Sequence, residues 1–209
     1  GQRVRCAVIW GVGIAVCFMH CGCANQRKTV SRNDECQRLA EQARQAEDRG
    51  DERTAELLLT AAVKRNPGDC ETRLELSELL LQHGSMESAV VQLRKLVAQN
   101  SEDLRVRVRL AQALYQLGQY AEASRWVDSA LELDPVSLEG LVVRGKLHEV
   151  AQQDDRALEE YHRVLVADPD QREATLRIAG IHLRRHKPSQ AAPLLRSVLE
   201  DPYVCAEQK

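Results

Sequence analysis

Small and large apolar residues alternate with polar residues at regular intervals in the stretch "LGQYAEASRWVDSALELDP", residues 117–135. The stretch predicts the end of one helix, a turn at Gly118, a complete second helix and a stop at Pro135, since proline cannot continue the hydrogen-bond ladder of a helix. No part of the chain shows the alternation of Val, Ile, Tyr or Thr that is typical of a strand. The pattern therefore predicts an all-helical protein.

The pattern of residues 117–135 recurs along the chain every 34 residues without insertion. Ala123 belongs to a series of five alanines in this register: Ala55, Ala89, Ala123, Ala157 and Ala191. Five residues before each alanine lies a turn position, which holds glycine in the first three cases and otherwise Gln or His: Gly50, Gly84, Gly118, Gln152 and His186. Prolines follow three of the alanines after twelve residues: Pro67, Pro135 and Pro169.

A 34-residue period with this pattern resembles the tetratricopeptide repeat (TPR). The resemblance covers about four-fifths of the chain and divides it into five units, 36–69, 70–103, 104–137, 138–171 and 172–205. It implies an all-α fold, a right-handed superhelical solenoid of five helix-turn-helix repeats, within a TPR domain over residues 36–205.

Each repeat is expected to pair two helices, A and B, that approach closely at small residues. The expected helix A positions are Ala43, Ser77, Ala111, Gly145 and Ala179, opposite the five alanines of helix B. Larger apolar residues recur around them on helix B: Leu59, Leu93, Val127, Tyr161 and Leu195, with Ala62, Leu96, Ala130, Val164 and Val198. Small side chains allow the helix axes to approach to the short end of the packing range. Because Pro188 and Pro193 fall early in the last helix B, we expect the final hairpin to be irregular.

The TPR resemblance implies a concave groove, lined mainly by the A helices, that binds an extended peptide or a partner helix. The family's inward-facing positions map onto fourteen residues: Glu71, Leu74, Glu78, Leu81, Arg105, Val108, Gln112, Tyr115, Glu139, Val142, Lys146, Glu149, Leu176 and Leu183. A Lys/Asn clamp for a carboxylate is not evident, because Ala40 and Arg44 occupy two of its positions.

The N-terminus departs from the helical pattern. Arg3 and Arg5 precede an apolar run over residues 6–19, which is the order of a secretory signal. Gly22 and Cys23 then resemble the lipobox of bacterial lipoproteins, which makes Cys23 the expected lipidation site; Cys17 is a second candidate. This interpretation assigns residues 1–22 to a signal peptide or membrane leader and residues 23–35 to a polar tether. An uncleaved transmembrane anchor and simple cleaved export are the alternatives.

The charge balance argues against nucleic acid as the main partner. The chain has 29 Lys and Arg against 31 Asp and Glu, with a net charge of -2. Phosphate binding requires a clustered basic excess.

No catalytic, metal or cofactor site is predicted. Cys36 and Cys70 share one repeat position, but adjacent helices lie too far apart there for a disulfide. Cys205 is a candidate for an intermolecular bridge, and His182 and His186 have a metal-like spacing without further ligands. His148 and His182 are better explained as fillers of a partly buried position. The sequence also lacks a phosphate loop or nucleophile elbow, so we expect no enzyme activity.

Together these features favour a membrane-tethered TPR scaffold that binds protein partners, on the periplasmic side of a bacterial membrane. It resembles small lipoproteins of the family that assist the assembly of envelope machinery, such as pilus secretin complexes. The alternative is a regulatory or assembly subunit of a membrane-bound enzyme or secretion system, held by an uncleaved helix.

Overall fold

The structure, a computed structural model, describes residues 32–100 and 102–199. All regular structure in these ranges is helical, so the all-α prediction is confirmed. Helix α1 covers residues 32–48. The further helices are α2 (Glu52–Arg65), α3 (Cys70–Gln82), α4 (Met86–Gln99), α5 (Leu104–Gln116), α6 (Tyr120–Leu133), α7 (Leu138–Val150), α8 (Asp154–Ala167), α9 (Arg172–Arg184) and α10 (Pro188–Leu199). Because the chain is already helical at residue 32, residues 32–35 of the predicted tether belong to α1.

The described part of the chain divides into two compact units, with the boundary between residues 80 and 81. The first unit contains α1, α2 and most of α3. In the second unit, α5 packs on α6, α7 on α8 and α9 on α10, and each of these hairpins also contacts the next. The regularity follows from the sequence period, because α3, α5, α7 and α9 begin at equivalent repeat positions.

The turn between helix A and helix B uses a left-handed residue in every repeat. Gly50, Gly84 and Gly118 have φ values of 73°, 74° and 73°. Gln152 and His186 adopt the same conformation, with φ values of 57° and 55°. In the fourth repeat the amide of Gln153 donates to the carbonyl of His148 at 2.9 Å, and the amide of Gln152 donates to that of Glu149 at 2.9 Å. This pair of bonds is the Schellman motif, which normally carries glycine at its left-handed position.

Asn or Asp residues that the repeat places after helix B form the connection to the next helix A. Their side-chain oxygens accept a hydrogen bond from the amide two residues on: Asn66, Asn100, Asp134 and Asp168. Three residues later, polar side chains cap the next helix: Asp69, Asp103, Ser137 and Gln171. Asx turns and N-caps together satisfy backbone groups that the helix ends leave unpaired.

The small-residue pattern forms the centre of each hairpin. The five helix B alanines, Ala55 to Ala191, are fully buried, as are Ala43, Ser77, Ala111 and Ala179 of the helix A series. Gly145 is also buried and accommodates the Tyr161 ring, since a Cβ there would lie 2.5 Å from Tyr161 Cε1. The core of the second unit extends from Val108 to Ile181 around this pair.

The final hairpin is more regular than predicted. Helix α10 runs without interruption from Pro188 to Leu199, with Pro193 inside it. Pro188 occupies the first turn of the helix. Backbone N–H groups there have no hydrogen-bond partner within the helix, so the N–H that proline lacks is not needed. Only Ala191 of α10 is buried, in contrast to the two or more buried apolar residues of each earlier helix B.

Candidate protein-binding face

The structure distributes the fourteen predicted lining residues over three classes of exposure. Five are exposed: Glu71, Arg105, Glu139, Leu176 and Leu183. Six are half-buried: Leu74, Glu78, Leu81, Gln112, Tyr115 and Glu149. Three are buried: Val108, Val142 and Lys146.

Val108 and Val142 are part of the hydrophobic core rather than of an accessible surface. They are 5% and 4% exposed and belong to the same cluster as Leu141 and Ile178. A partner cannot reach their side chains without displacing a neighbouring helix, so they do not line a groove in the structure.

The second unit gathers charged side chains from α7 and α9 around Glu149. This carboxylate is only 11% exposed. The hydroxyl of Tyr161 donates to its Oε1 at 2.6 Å, and Nη2 of Arg184 donates to its Oε2 at 2.9 Å. Nη1 of Arg177 lies 3.7 Å from the same Oε1. Glu149 is therefore fixed by three groups, two of them cationic.

A second ion pair lies beside Glu149 and also joins α7 to α9. Nζ of Lys146 lies 2.5 Å from Oε1 of Glu173, which is itself 3.7 Å from Nη2 of Arg177. This contact explains how Lys146 is buried: its ammonium group is paired, which offsets the cost of removing a charge from water.

The Tyr115 ring of α5 lies close to this charged cluster. Burial raises the pKa of Tyr115, while the positive charge of Arg177 lowers it and the carboxylates of Glu149 and Glu173 raise it. The ring also packs against Tyr120, with centroids 5.6 Å apart. Burial and the hydrogen bond to Glu149 likewise raise the pKa of Tyr161, so both tyrosines stay neutral at physiological pH.

We call these residues of α5, α7 and α9 the A-helix face: Tyr115, Lys146, Glu149, Glu173 and Arg177. Three of the five were predicted as lining residues, whereas Glu173 and Arg177 were missed. Glu173 occupies the same repeat position as Arg105 and Glu139, so the 34-residue period was sufficient to predict it as a lining residue. Arg177 could not be predicted from the period, because its role depends on its contact with Glu149 in the folded protein.

The remaining predictions concern cysteines, histidines and the membrane leader. Cys36 is buried and Cys70 exposed, and the two are not joined by a disulfide. His148 and His182 are half-buried, as expected of fillers of a partly buried position. Cys23, Cys205 and the predicted leader lie outside the described residues. Among residues 32–100 and 102–199, no helix is both long and apolar enough to cross a membrane.

Two tetratricopeptide-repeat family models match the chain, one over residues 80–140 and the other over residues 40–93 and 143–205. The chain belongs to the tetratricopeptide-repeat family. Proteins with these repeats are generally non-enzymatic, and the fold is that of a protein-interaction scaffold. A comparison with curated proteins gives no match.

Solved structures of bacterial TPR proteins resemble the chain in fold. MamA from Desulfovibrio magneticus RS-1 is 17% identical, with 80% of this chain and 94% of that one covered and a TM-score of 0.69. A thermophilic TPR protein from Thermus thermophilus is 22% identical, with 80% and 91% covered and a TM-score of 0.66. PilF of Pseudomonas aeruginosa is 18% identical, with 80% and 78% covered and a TM-score of 0.66.

Proposed function

We propose that this TPR protein is a membrane-tethered scaffold that binds a segment of a partner protein on its A-helix face and assists assembly of a cell-envelope complex. The observation that carries the binding part is the convergence of Tyr115, Glu149 and Arg177 from three successive A helices. An aromatic ring beside paired, fixed charges offers both apolar contact and oriented hydrogen bonds, the combination found at energetically important interface residues.

The charge pattern of the A-helix face favours a partner segment that carries both signs. Arg177 and Glu173 are each more than a third exposed, whereas Glu149 and Lys146 are largely covered. A bound carboxylate can accept from Arg177, and a bound Lys or Arg can reach Glu173. Because the two groups are already paired with each other at 3.7 Å, the partner has to replace that pair with contacts of its own.

A crosslinked pull-down from native membranes tests the binding site. We expect the partner recovered with the wild-type chain to be lost, or reduced at least about tenfold, with a Tyr115→Ala/Arg177→Glu variant. Val166→Ala is the matched control, because Val166 is highly exposed on α8, away from this face. Circular dichroism and thermal unfolding verify that each variant is folded. Equal recovery with all three proteins would show that the partner binds elsewhere.

The membrane tether is supported by the leader sequence alone: basic residues, an apolar run and Gly22-Cys23. Lipidation and an uncleaved anchor differ in mass, because cleavage before Cys23 removes residues 1–22. Intact mass spectrometry of the membrane-extracted protein should show the cleaved, acylated form for the wild type and not for Cys23→Ser. A full-length mass in both proteins would instead support the alternative, a subunit held by a transmembrane helix.

A further inference from the structure

The 34-residue period allows one place in the second unit to be compared across three successive repeats. Each set of equivalent positions takes one residue from a B helix, one from the next A helix and one from the following B helix. The set from α4, α5 and α6 and the set from α8, α9 and α10 are apolar and are buried or half-buried: Val90, Leu110 and Trp126, then Leu158, Ile178 and Leu194.

The middle set, from α6, α7 and α8, is polar and consists of Ser124, Arg144 and Glu160. Nη2 of Arg144 donates to Oε2 of Glu160 at 2.9 Å, and the two side chains are only 25% and 13% exposed. Nε of Arg144 is buried and has no hydrogen-bond partner among the described residues. A largely covered ion pair rarely stabilises a fold more than apolar residues of similar size, and an unsatisfied N–H costs stability. The polar set therefore favours a functional role at this place.

The middle set lines a pocket of about 680 Å³ between α6, α7 and α8. Small-molecule sites in proteins have volumes of about 300–1,000 Å³. Apolar surface in the pocket comes from five further residues: Tyr120, Ala121, Leu147, Val150 and Ala151. We call this site the B-helix pocket. It shares no residue with the A-helix face.

The two outer walls of the B-helix pocket carry opposite charges that do not pair with each other. In the preceding repeat, Nη2 of Arg94 on α4 donates to both carboxylate oxygens of Glu122 on α6, at 2.9 Å and 2.8 Å. The equivalent residues of the pocket are Asp128 on α6 and Arg156 on α8, so the charges are exchanged. In the part of the chain that the structure describes, each of these two bonds only to a residue three or four positions earlier. Both are exposed and can therefore bind an occupant.

The complete set of charges limits what the B-helix pocket can bind. Besides the imidazole of His148, its lining carries three carboxylates and two guanidinium groups: Asp128, Glu159 and Glu160, with Arg144 and Arg156. Since Arg144 and Glu160 pair with each other, two carboxylates and one guanidinium group remain. A simple anion would meet an excess of negative charge, whereas a simple cation would leave Arg156 without a partner. An occupant with both charges satisfies both walls.

We propose that the B-helix pocket binds a small zwitterion with one ammonium and one carboxylate group, such as an amino acid or a short peptide with free termini. The carboxylate accepts hydrogen bonds from the guanidinium group of Arg156, and the ammonium group donates to Asp128. Both are charge-assisted hydrogen bonds, which are stronger than neutral ones. The occupant's remaining polar groups meet Ser124, and its apolar atoms contact Leu147.

Isothermal titration calorimetry with the full chain at low ionic strength tests the proposal. Alanine and tri-alanine are the probes, and together they distinguish a single amino acid from a peptide. Each is compared with its N-acetylated form, which lacks the ammonium charge, and with its C-terminal amide, which lacks the carboxylate charge. We expect at least one of the two free probes to bind at millimolar concentration, and blocking either end to weaken that binding at least about tenfold.

Two variants assign the ends of the ligand to the two walls. Asp128→Asn should weaken binding of the free probe at least about tenfold and add nothing to the effect of N-acetylation. Arg156→Gln should behave in the same way toward the amide. Arg94→Gln is the matched control, because it removes a charge at the position of Asp128 one repeat earlier and should leave binding unchanged. Circular dichroism verifies that each variant is folded.

The double variant Arg144→Ile/Glu160→Leu tests the polar set, since it introduces the residues of the following set, Ile178 and Leu194. It should abolish binding, with a thermal unfolding midpoint equal to that of the wild type or higher. The proposal is overturned if neither free probe binds, if an acetylated or amidated form binds equally well, or if the double variant retains full affinity. Because the assay needs no partner protein or membrane, its outcome is independent of the proposed scaffold function.

Discussion

At the scale of single residues, Gly145 and Tyr161 form a matched pair that no other repeat has. The equivalent pairs combine a small residue with Leu or Val, such as Ala111 with Val127. Here the ring of Tyr161 occupies the space of a missing Cβ, at 2.5 Å from the position a Cβ would take. We expect Gly145→Ala to lower the free energy of unfolding by about 1–2 kcal/mol, because overpacking outweighs the gain in helix propensity. Chemical denaturation measures this change.

The double variant gives this prediction its control. In a Tyr161→Leu background the clash is absent, so Gly145→Ala should stabilise the protein by up to about 1 kcal/mol, the helix propensity of alanine over glycine. The sign of the same substitution therefore reverses with its partner. If Gly145→Ala has the same effect in both backgrounds, Gly145 and Tyr161 are not coupled in the way the packing indicates.

At the scale of the helical hairpin, each turn between helix A and helix B has a left-handed residue at the position where the sequence period predicts the turn. Gln152 has φ = 57° at a position where Gly118 has φ = 73°. This conformation costs a non-glycine residue about 1–2 kcal/mol. The cost is partly offset because glycine loses more chain entropy on folding. Because Gln152 is exposed, its replacement costs little packing. We expect Gln152→Gly to raise the free energy of unfolding by about 0.5–1 kcal/mol in urea denaturation.

Gly118→Ala tests the same turn in the opposite direction. The site has open space for a Cβ, since no atom beyond the glycine and its two chain neighbours lies within 4 Å, so any loss of stability comes from the backbone conformation alone. A loss of about 1 kcal/mol is expected. Neutral effects of both substitutions would mean that these turns relax at little cost.

Most of the hairpin architecture could be predicted from the sequence because its signals are local and repeated. Glycine at a left-handed turn, proline after helix B and alanine at the helix contact each act within a few residues, and the 34-residue period multiplies them. The Asx-turn residues Asn66, Asn100, Asp134 and Asp168 also recur with this period. Only the prolines that follow three of them entered the prediction.

The accessible surface could not be predicted in the same way. Val108 and Leu176 occupy one repeat position, and their exposure differs because a following A helix packs beside Val108 but not, among the described residues, beside Leu176. Repeat position determines the direction of a side chain, whereas burial depends on the next element. The ion pairs of Glu149 likewise depend on α9 contacting α7, which no local pattern encodes.

At the scale of the whole molecule, carboxylates in both units link stability to pH. Hydrogen bonds from Thr54 lower the pKa of Asp51 in the first unit. In the second unit burial alone would raise the pKa of Asp154, but hydrogen bonds from Arg184 and Arg185 outweigh it and lower the pKa. A carboxyl group with a lowered pKa in the folded state stabilises that state above its ordinary pKa of about 4, and the contribution is lost as pH falls through the lower, folded value.

Asp154→Asn should therefore lower the thermal unfolding midpoint at pH 7 and have a progressively smaller effect as the pH falls from about 4 to 2. The reason is that protonation of Asp154 in the wild type weakens the same contacts with Arg184 and Arg185, 3.0 Å and 3.3 Å away, that the substitution weakens directly. Thermal unfolding followed by circular dichroism across this pH range measures the difference between the two midpoints. The exposed Asp170→Asn is a control with the same change of charge. If the wild-type and Asp154→Asn midpoints stay a constant distance apart down to pH 2, the ion pairs of Asp154 with Arg184 and Arg185 do not contribute to the acid sensitivity of the protein.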